Sequence, residues 1–301
     1  MVIQEYFTRD HIDTDIISDE VRISSISSHI RLGTTIRLPD VFRVLKESLH
    51  PDEIGCVTYG SEECKVIQKK KRRKPRKQFQ NSIAVDIVVT QTEGMKFAGR
   101  TSRVNMKLFS NGTIQMSGCR CRYDGNTALN ILIGTLSKRY MIVDGVTKEI
   151  RVVDLVDGPI EPHGLQINMI NTDLKLGETI NREKLYSILL EQKIQCKYDK
   201  INHAPVDLNY IIEDKPKPIH IYFFESGSVI ITGSKNHHQI NGALEFMHDT
   251  IDPIQSQIKK IDADAVSKLA LSSKFAHLIG KSTATITTTY DDQEDVSLWA
   301  S

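Results

Sequence analysis

The sequence predicts an α+β chain of two tandem repeats, with a curved antiparallel sheet on one side and helices on the other. Three observations carry that prediction. Four segments of the first half recur in the same order in the second half. Alternating apolar runs are joined by short turns that contain glycine. Each half also holds two stretches whose apolar residues recur at helical spacing.

The repeat is the strongest of the three. RLGTTI at 31–36 matches KLGETI at 175–180, an offset of 144. Val85-Asp86-Ile87 matches Val206-Asp207-Leu208 at an offset of 121, and KLFSNGTIQMSGCR at 107–120 matches YFFESGSVIITGSK at 222–235 at 115. The last offset continues into Asn126, Ala128 and Leu129 against Asn241, Ala243 and Leu244. One such match could arise by chance; four in order describe a duplicated unit. The first copy carries 23 extra residues ahead of Val85, the difference between the first two offsets.

Each copy opens with a strand, at about 21–31 and 165–175. A helix follows Leu-Gly. In copy one Pro39 marks its start and Val41, Phe42, Leu45 and Leu49 fall on one face. In copy two Asn181 is the expected N-cap ahead of Leu185, Ile188 and Leu189. Strands are expected at 54–60, 82–90, 103–110 and 113–118, and again at 194–199, 206–212, 219–225 and 228–233. Gly112 and Gly227 supply the positive φ that the hairpin turns need. A closing helix is expected at 125–138 and at 238–250. The organisation is therefore an acidic N-terminal arm at 1–19, repeat one at 20–140, a linker at 141–162, repeat two at 163–255, and a C-terminal helix with a flexible tail at 256–301. Asp10, Asp13, Asp15, Asp19 and Glu20 make the arm look solvated. Val266, Leu269, Leu271 and Phe275 suggest the last helix, and the acidic stretch Ser282–Ser301, with Trp299, has little to bury.

Composition narrows the function classes. At 40% hydrophobic and 26% charged, 301 residues can bury a substantial core. No window approaches the roughly 18 apolar residues of a membrane span, and the N-terminus lacks the apolar core of a signal peptide. The chain is expected inside a cell, with no membrane partner. Five cysteines follow no disulfide or zinc spacing; Cys119 and Cys121 read as reduced thiols, with no metal and no cofactor expected. His237 and His238 read as surface helix residues. No nucleophile elbow, phosphate-binding loop, GxGxxG or His-Glu-x-x-His occurs, so an enzyme is not expected.

The net charge of +1 conceals an asymmetry. Lys69, Lys70, Lys71, Arg72, Arg73, Lys74, Arg76 and Lys77 form one basic run inside the insertion at about 65–80. Without those eight charges the rest of the chain carries −7. The run suits nuclear import or a solvated loop, and it suits contact with phosphates; the two readings are compatible.

The hairpin motif resembles that of the TATA-box-binding-protein family. It stands as Leu108-Phe109-Ser-Asn-Gly112 with Ser117-Gly118-Cys-Arg120, and again as Phe223-Phe224-Glu-Ser-Gly227 with Thr232-Gly233-Ser-Lys235. The resemblance covers about 20–140 and 163–255, and the long insertions are similar to those of the versions encoded by large DNA viruses. It implies a saddle with helices on the convex face and a concave sheet that docks on the minor groove of AT-rich double-stranded DNA. It also implies recruitment of a B-type initiation factor and RNA polymerase, in the nucleus or, for a viral protein, a cytoplasmic factory or virion. Phe109 and Phe224 match the family's wedging phenylalanines, and Lys107, Gln115, Ser117, Tyr222, Ile230 and Thr232 share their face by alternation. Packing of both phenylalanines in the core is the alternative. Ser25, Ser27, Met169 and Asn171 take the central positions, with Asn168 possible in place of Met169. Arg120 and Lys235 close the motif. The family's second wedge matches Ile83 and Ala204 here, an expected departure. Asp86 and Asp207 face either the groove or the helices. A protein–protein adaptor that has lost DNA bending is the rival function.

Overall fold

A computed structural model describes residues 4–50, 52–65, 81–91, 99–143, 149–202, 204–212 and 217–260 of the chain. Among the described residues eleven strands make one sheet. They are β1 (Arg22–Arg31), β2 (Ile54–Tyr59), β3 (Glu62–Lys65), β4 (Ser82–Thr90), β5 (Thr101–Phe109), β6 (Thr113–Cys119), β9 (His163–Lys175), β10 (Cys196–Lys197), β11 (Val206–Tyr210), β12 (Ile219–Phe223) and β13 (Ser228–Ser234). Their spatial order is β10-β11-β12-β13-β9-β1-β6-β5-β4-β2-β3, and every neighbouring pair is antiparallel. A separate two-stranded hairpin joins β7 (Arg139–Val143) to β8 (Ile150–Asp154).

The order reads the same outward from the centre on both sides, apart from the extra edge strand β3. At the centre Ile26 of β1 pairs with Ile170 of β9, residues related by the offset of 144. The same offset relates Ile36 and Ile180, each of which forms an isolated bridge, with Val156 and with Lys259 respectively. We refer to the side built on β1 as half 1 and that built on β9 as half 2.

Four main helices pack on one face: α1 (Leu38–Glu47), α2 (Arg122–Leu136), α3 (Arg182–Glu191) and α4 (His237–Ile251), followed by the single turn α5 (Gln255–Ile258). Pro39 sits in the first turn of α1, where no intrahelical N–H is needed, and Leu38, Val41, Phe42, Val44 and Leu45 are buried. Asn181 caps α3 by accepting from Lys184 N, and Asn236 caps α4 by accepting from Gln239 N. In place of a cap on α2, the Asp124 carboxylate is fully buried and accepts from Arg120 N and from Gln91 Nε2. The sheet residues beneath the helices alternate cleanly: Val104, Met106 and Leu108 on β5, Ile114 and Met116 on β6, and Ile221, Phe223, Val229 and Ile231 in half 2 are at most 2% exposed. Burial on one parity alone is the signature of a sheet covered on a single face.

The hairpin turns are held by the glycines the sequence singled out. Gly112 (φ 79°) and Gly227 (φ 76°) lie so close to the backbone of Thr34 and Glu178 that an added Cβ would stand 1.9 Å from a carbonyl oxygen in either case. Only glycine satisfies both the positive φ and the close approach.

Several expectations need correction. The acidic arm is not solvated: Phe7 and Ile12 are fully buried and Ile17 nearly so. Phe7 lies on Gly125, where a Cβ would come within 2.4 Å of its ring. Asn126 Oδ1 accepts from Tyr6 N and Phe7 N, and its Nδ2 donates to Phe7 O. In half 2 the matching Asn241 donates from Nδ2 to Ile16 O. The arm thus crosses α2 and α4, gripped in each half by the same asparagine. His237 is buried beneath it and accepts from Asp13 N, while His238 is exposed. The arm's acidic residues masked three widely spaced hydrophobes that set its burial.

The expected linker contains the β7–β8 hairpin. Tyr140, Ile142 and Val153 pack inward, while Met141, Val143, Ile150 and Val152 lie exposed on the outer side. The expected strand at 194–199 shrinks to two residues because the Asp199 side chain accepts from Ile201 N, Asn202 N and Asn202 Nδ2 and turns the chain. Cys119 is wholly buried and Cys121 mostly so; burial, with Asp124 adding, pushes the Cys121 thiol up to about 11. The C-terminal helix expected around Val266–Phe275, the tail and Trp299 lie outside the described residues.

Candidate nucleic-acid interface

The face opposite the helices is the candidate site, and pleating decides which side chains reach it. On β5 Arg103 and Lys107 are exposed and Asn105 and Phe109 half-buried, alternating with the buried Val104, Met106 and Leu108. On β6 Gln115 is exposed and Ser117 half-buried. In half 2 Tyr222 and Ile230 are half-buried between fully buried neighbours, and Thr232 is half-buried after the buried Ile231. Phe224 follows β12 at the turn, half-buried, its N–H donating to Ser228 O. The alternation places Phe109 on the same side as Lys107 and off the helix core. At the centre Ser25 pairs with Asn171 and Ser27 with Met169, all four half-buried.

Hydrogen bonds fix the central side chains. Gly118 N donates to Ser25 Oγ at 3.1 Å. Thr232 Oγ1 lies 2.5 Å from Asn171 Oδ1 and 3.3 Å from Met169 Sδ. With its oxygen held by Thr232, Asn171 has its NH₂ left to offer a ligand. Asn168 is also on β9, but its Oδ1 is 2.9 Å from His29 Nδ1. Arg120 and Lys235 sit at the strand-to-helix joints, their backbone N–H groups donating to Asp124 and Gln239. The basic run Lys69–Lys77 lies outside the described residues; of the strands that precede and follow it, β3 is the outermost strand of half 1 and β4 lies two strands further in.

The structure also settles the carboxylates and shifts one alignment. Asp86 and Asp207 both lie on the open face, half-buried and partnered. Asp86 accepts from Asn105 Nδ2 at 2.7 Å, and Asp207 Oδ1 is 2.9 Å from His220 Nδ1. They are not equivalent to each other. Met106 and Ile221 are 115 apart, as the hairpin motif requires, and their cross-strand partners are Val85 and Leu208. Val85 therefore corresponds to Leu208, two residues beyond the sequence match to Val206, and Asp207 corresponds to Ala84. The same register corrects the second wedge. Ile83 is fully buried under the helices, and the residue opposite Phe109 on the open face is Ser82. Ala204 precedes β11, its carbonyl accepting from Arg182. The repeated Val-Asp dipeptide was a coincidence within two strands of the same hydrophobic pattern.

Sequence reasoning missed several members of this face. His220 stacks on Tyr222 with ring centroids 5.8 Å apart and planes 8° from parallel. Burial, with the Asp207 charge adding, raises the Tyr222 phenol above its ordinary value. Arg22 reaches across the centre to Asp173 at 2.7 Å. Parity along β9 and β12 would have found Asp173 and His220; Arg22 escapes it because β1 bulges between Ile23 and Ser25. Among the described residues no cluster of His, Cys, Asp or Glu is arranged to hold a metal, and no helix is long and apolar enough to cross a membrane.

No family model matches the chain. A curated protein of Acanthamoeba polyphaga mimivirus, named TATA-box-binding protein-like, is 28% identical over 262 residues, covering 79% of this chain and 67% of its own. Among solved structures the chain is similar to a Methanococcus jannaschii TBP, at a TM-score of 0.46 and 18% identity, over 78% of this chain and 99% of that one. Sequence and hairpin motif agree: this chain is similar to a divergent TATA-box-binding-protein-like protein of a large DNA virus.

Proposed function

We propose that this protein is a DNA-binding transcription initiation factor. In this reading the two halves are copies of one unit and form a saddle. Its concave open face docks on the minor groove of AT-rich promoter DNA, and its convex helices recruit a B-type factor and RNA polymerase. The observation that carries the reading is the placement of Phe109 and Phe224 at matching ends of an open, half-polar sheet face. An aromatic side chain at each end suits insertion between base steps, which must offset an unstacking cost of a few kcal/mol per step. The centre fits the same ligand. The floor of an A·T minor groove presents only acceptors, and the Asn171 NH₂ with the Ser25 and Ser27 hydroxyls can donate to it. The basic run Lys69–Lys77 adds phosphate contact at the edge of half 1.

The name of the mimivirus relative supports this reading. The rival is an adaptor with the same architecture that does not bend DNA. It draws on Ser82 standing where a second wedge is expected and on the carboxylates of the open face. Binding to an AT-rich duplex and a GC-rich control separates them. The initiation-factor reading expects preference for the AT-rich duplex, lost in Phe109→Ala/Phe224→Ala. Binding that ignores both sequence and the double change, yet disappears when 69–77 is deleted, overturns it.

A further inference from the structure

The two halves present matching backbones but unequal charge on the open face. Cross-strand partners fix the correspondences: Lys107 with Tyr222, Gln115 with Ile230, His29 with Asp173, and Ala84 with Asp207. Arg103 corresponds to Pro218, and the close approaches at the bulge glycines agree. A Cβ on Gly118 would meet Arg103 O, and one on Gly233 would meet Pro218 O. Lys107, Arg103, His29 and Ala84 of half 1 are thus replaced in half 2 by Tyr222, Pro218, Asp173 and Asp207, each a change away from positive charge. Asp86 and Asn105 run the other way, since they correspond to Asn209 and His220. Half 1 offers two cations and one carboxylate at these places; half 2 offers two carboxylates. Arg31 and Lys175 correspond at the strand ends and cancel in the comparison, and Lys197 lies opposite Asp207 on the far edge.

Resting on the DNA-docking reading, we propose that the two halves of the open face engage the duplex unequally. Half 1 bears on phosphates through Lys107 and Arg103. Half 2 holds the groove by apolar contact through Tyr222, Ile230 and Met169, with Asp173 and Asp207 opposing close phosphate approach. Each phosphate a cation neutralises releases counterions and adds about 0.9 to the slope of log affinity against log salt, so half 1 supplies the salt-dependent share of the face's binding. Two partners restrain the carboxylates without removing their charge. Arg22 holds Asp173, and His220 holds Asp207.

The test places the same new charge at equivalent positions. Gln115→Glu and Ile230→Glu are compared with the intact protein for binding to a duplex with one AT-rich site, across a salt titration, with thermal unfolding to check the fold. Gln115→Glu is expected to weaken binding about tenfold and flatten the salt slope by about 0.9, whereas Ile230→Glu, which removes an apolar groove contact, weakens binding with the salt slope unchanged. Asp207→Asn is expected to tighten binding. Equal flattening of the salt slope by the two glutamates, or no gain from Asp207→Asn, overturns the unequal docking while leaving the open face as the DNA site. Intact binding in both glutamate variants overturns the open-face reading itself, and the unequal docking with it.

Discussion

The two halves of the sheet agree where they face the helices and diverge where they face outward. Under the helices Met106, Leu108, Ile114 and Met116 correspond to Ile221, Phe223, Val229 and Ile231, every pair apolar and buried. On the outer side Lys107, Gln115 and His29 correspond to Tyr222, Ile230 and Asp173. A buried position tolerates only apolar side chains of similar volume. An open position constrains the fold little, so its chemistry reports what the face touches. On the open face both the differences between the halves and the shared Phe109 and Phe224 are therefore informative about function, whereas agreement under the helices reports folding.

The N-terminal arm sharpens the comparison, because it lies on the face where the halves agree and ties them together. Phe7→Ala empties a fully enclosed site over Gly125 and is expected to cost about 4 kcal/mol, within the range for a buried phenylalanine. Denaturant unfolding measures the loss, and hydrogen exchange should show α2 losing protection first. A cost below about 1 kcal/mol would mean that the arm rests on the helices without holding them.

Neighbouring residues of opposite parity test the face assignment directly. Met106→Ala and its counterpart Ile221→Ala should each lose about 3 kcal/mol of stability. Lys107→Ala and Tyr222→Ala should stay within about 1 kcal/mol, since neither is buried against the helices. Similar losses at 106 and 107 would break the picture of a sheet covered on one face.

The smallest effect separates the two ends of the arm. The α2 end is held by Asn126, which does not titrate, and the α4 end by two histidines beside Asn241. Burial, helped by His238, lowers the His237 pKa. Its contribution is present above the unfolded value near 6.5 and lost as pH falls, when a protonated Nδ1 can no longer accept from Asp13 N. For His248 desolvation lowers the value, but hydrogen bonds to Glu20 and Asp252 outweigh it and leave the pKa raised. Its contribution is present below about 6.5 and lost as pH rises through the folded value. The two slopes oppose each other. His248→Gln should therefore make the arm exchange faster in acid, and His237→Gln should make it exchange faster above neutrality. Both effects should stay below about 1 kcal/mol. Identical pH profiles in the two variants would contradict the assignment.

Much of the sheet was legible in the sequence because alternation and glycine turns are local signals. β1, β4, β5, β6 and β9 start and end within about two residues of where their pattern does. The arm was not legible. Phe7, Ile12 and Ile17 follow neither a helical nor a strand period, and the burial of Phe7 depends on a socket at Gly125, more than a hundred residues away. The edge strand β3 was missed because Glu62, Glu63 and Lys65 carry no apolar alternation; an edge strand needs only backbone pairing, here with β2. On the open face the phenylalanines and most of their neighbours were readable by parity. The register of β11 was not, because Val-Asp recurs at a spacing two residues away from the true cross-strand partners. The paired carboxylates could be resolved only with their partners Asn105 and His220 in place.

The central claim is that the open sheet face wedges and bends duplex DNA with Phe109 and Phe224. The most direct measurement is end-to-end fluorescence energy transfer across a short duplex with one AT-rich site, with intact protein and with Phe109→Ala/Phe224→Ala at saturating concentration. The account predicts a rise in transfer on binding the intact protein, as the duplex ends approach, and a large loss of that rise in the double variant. A saturated complex of the intact protein with transfer unchanged from naked DNA would contradict it.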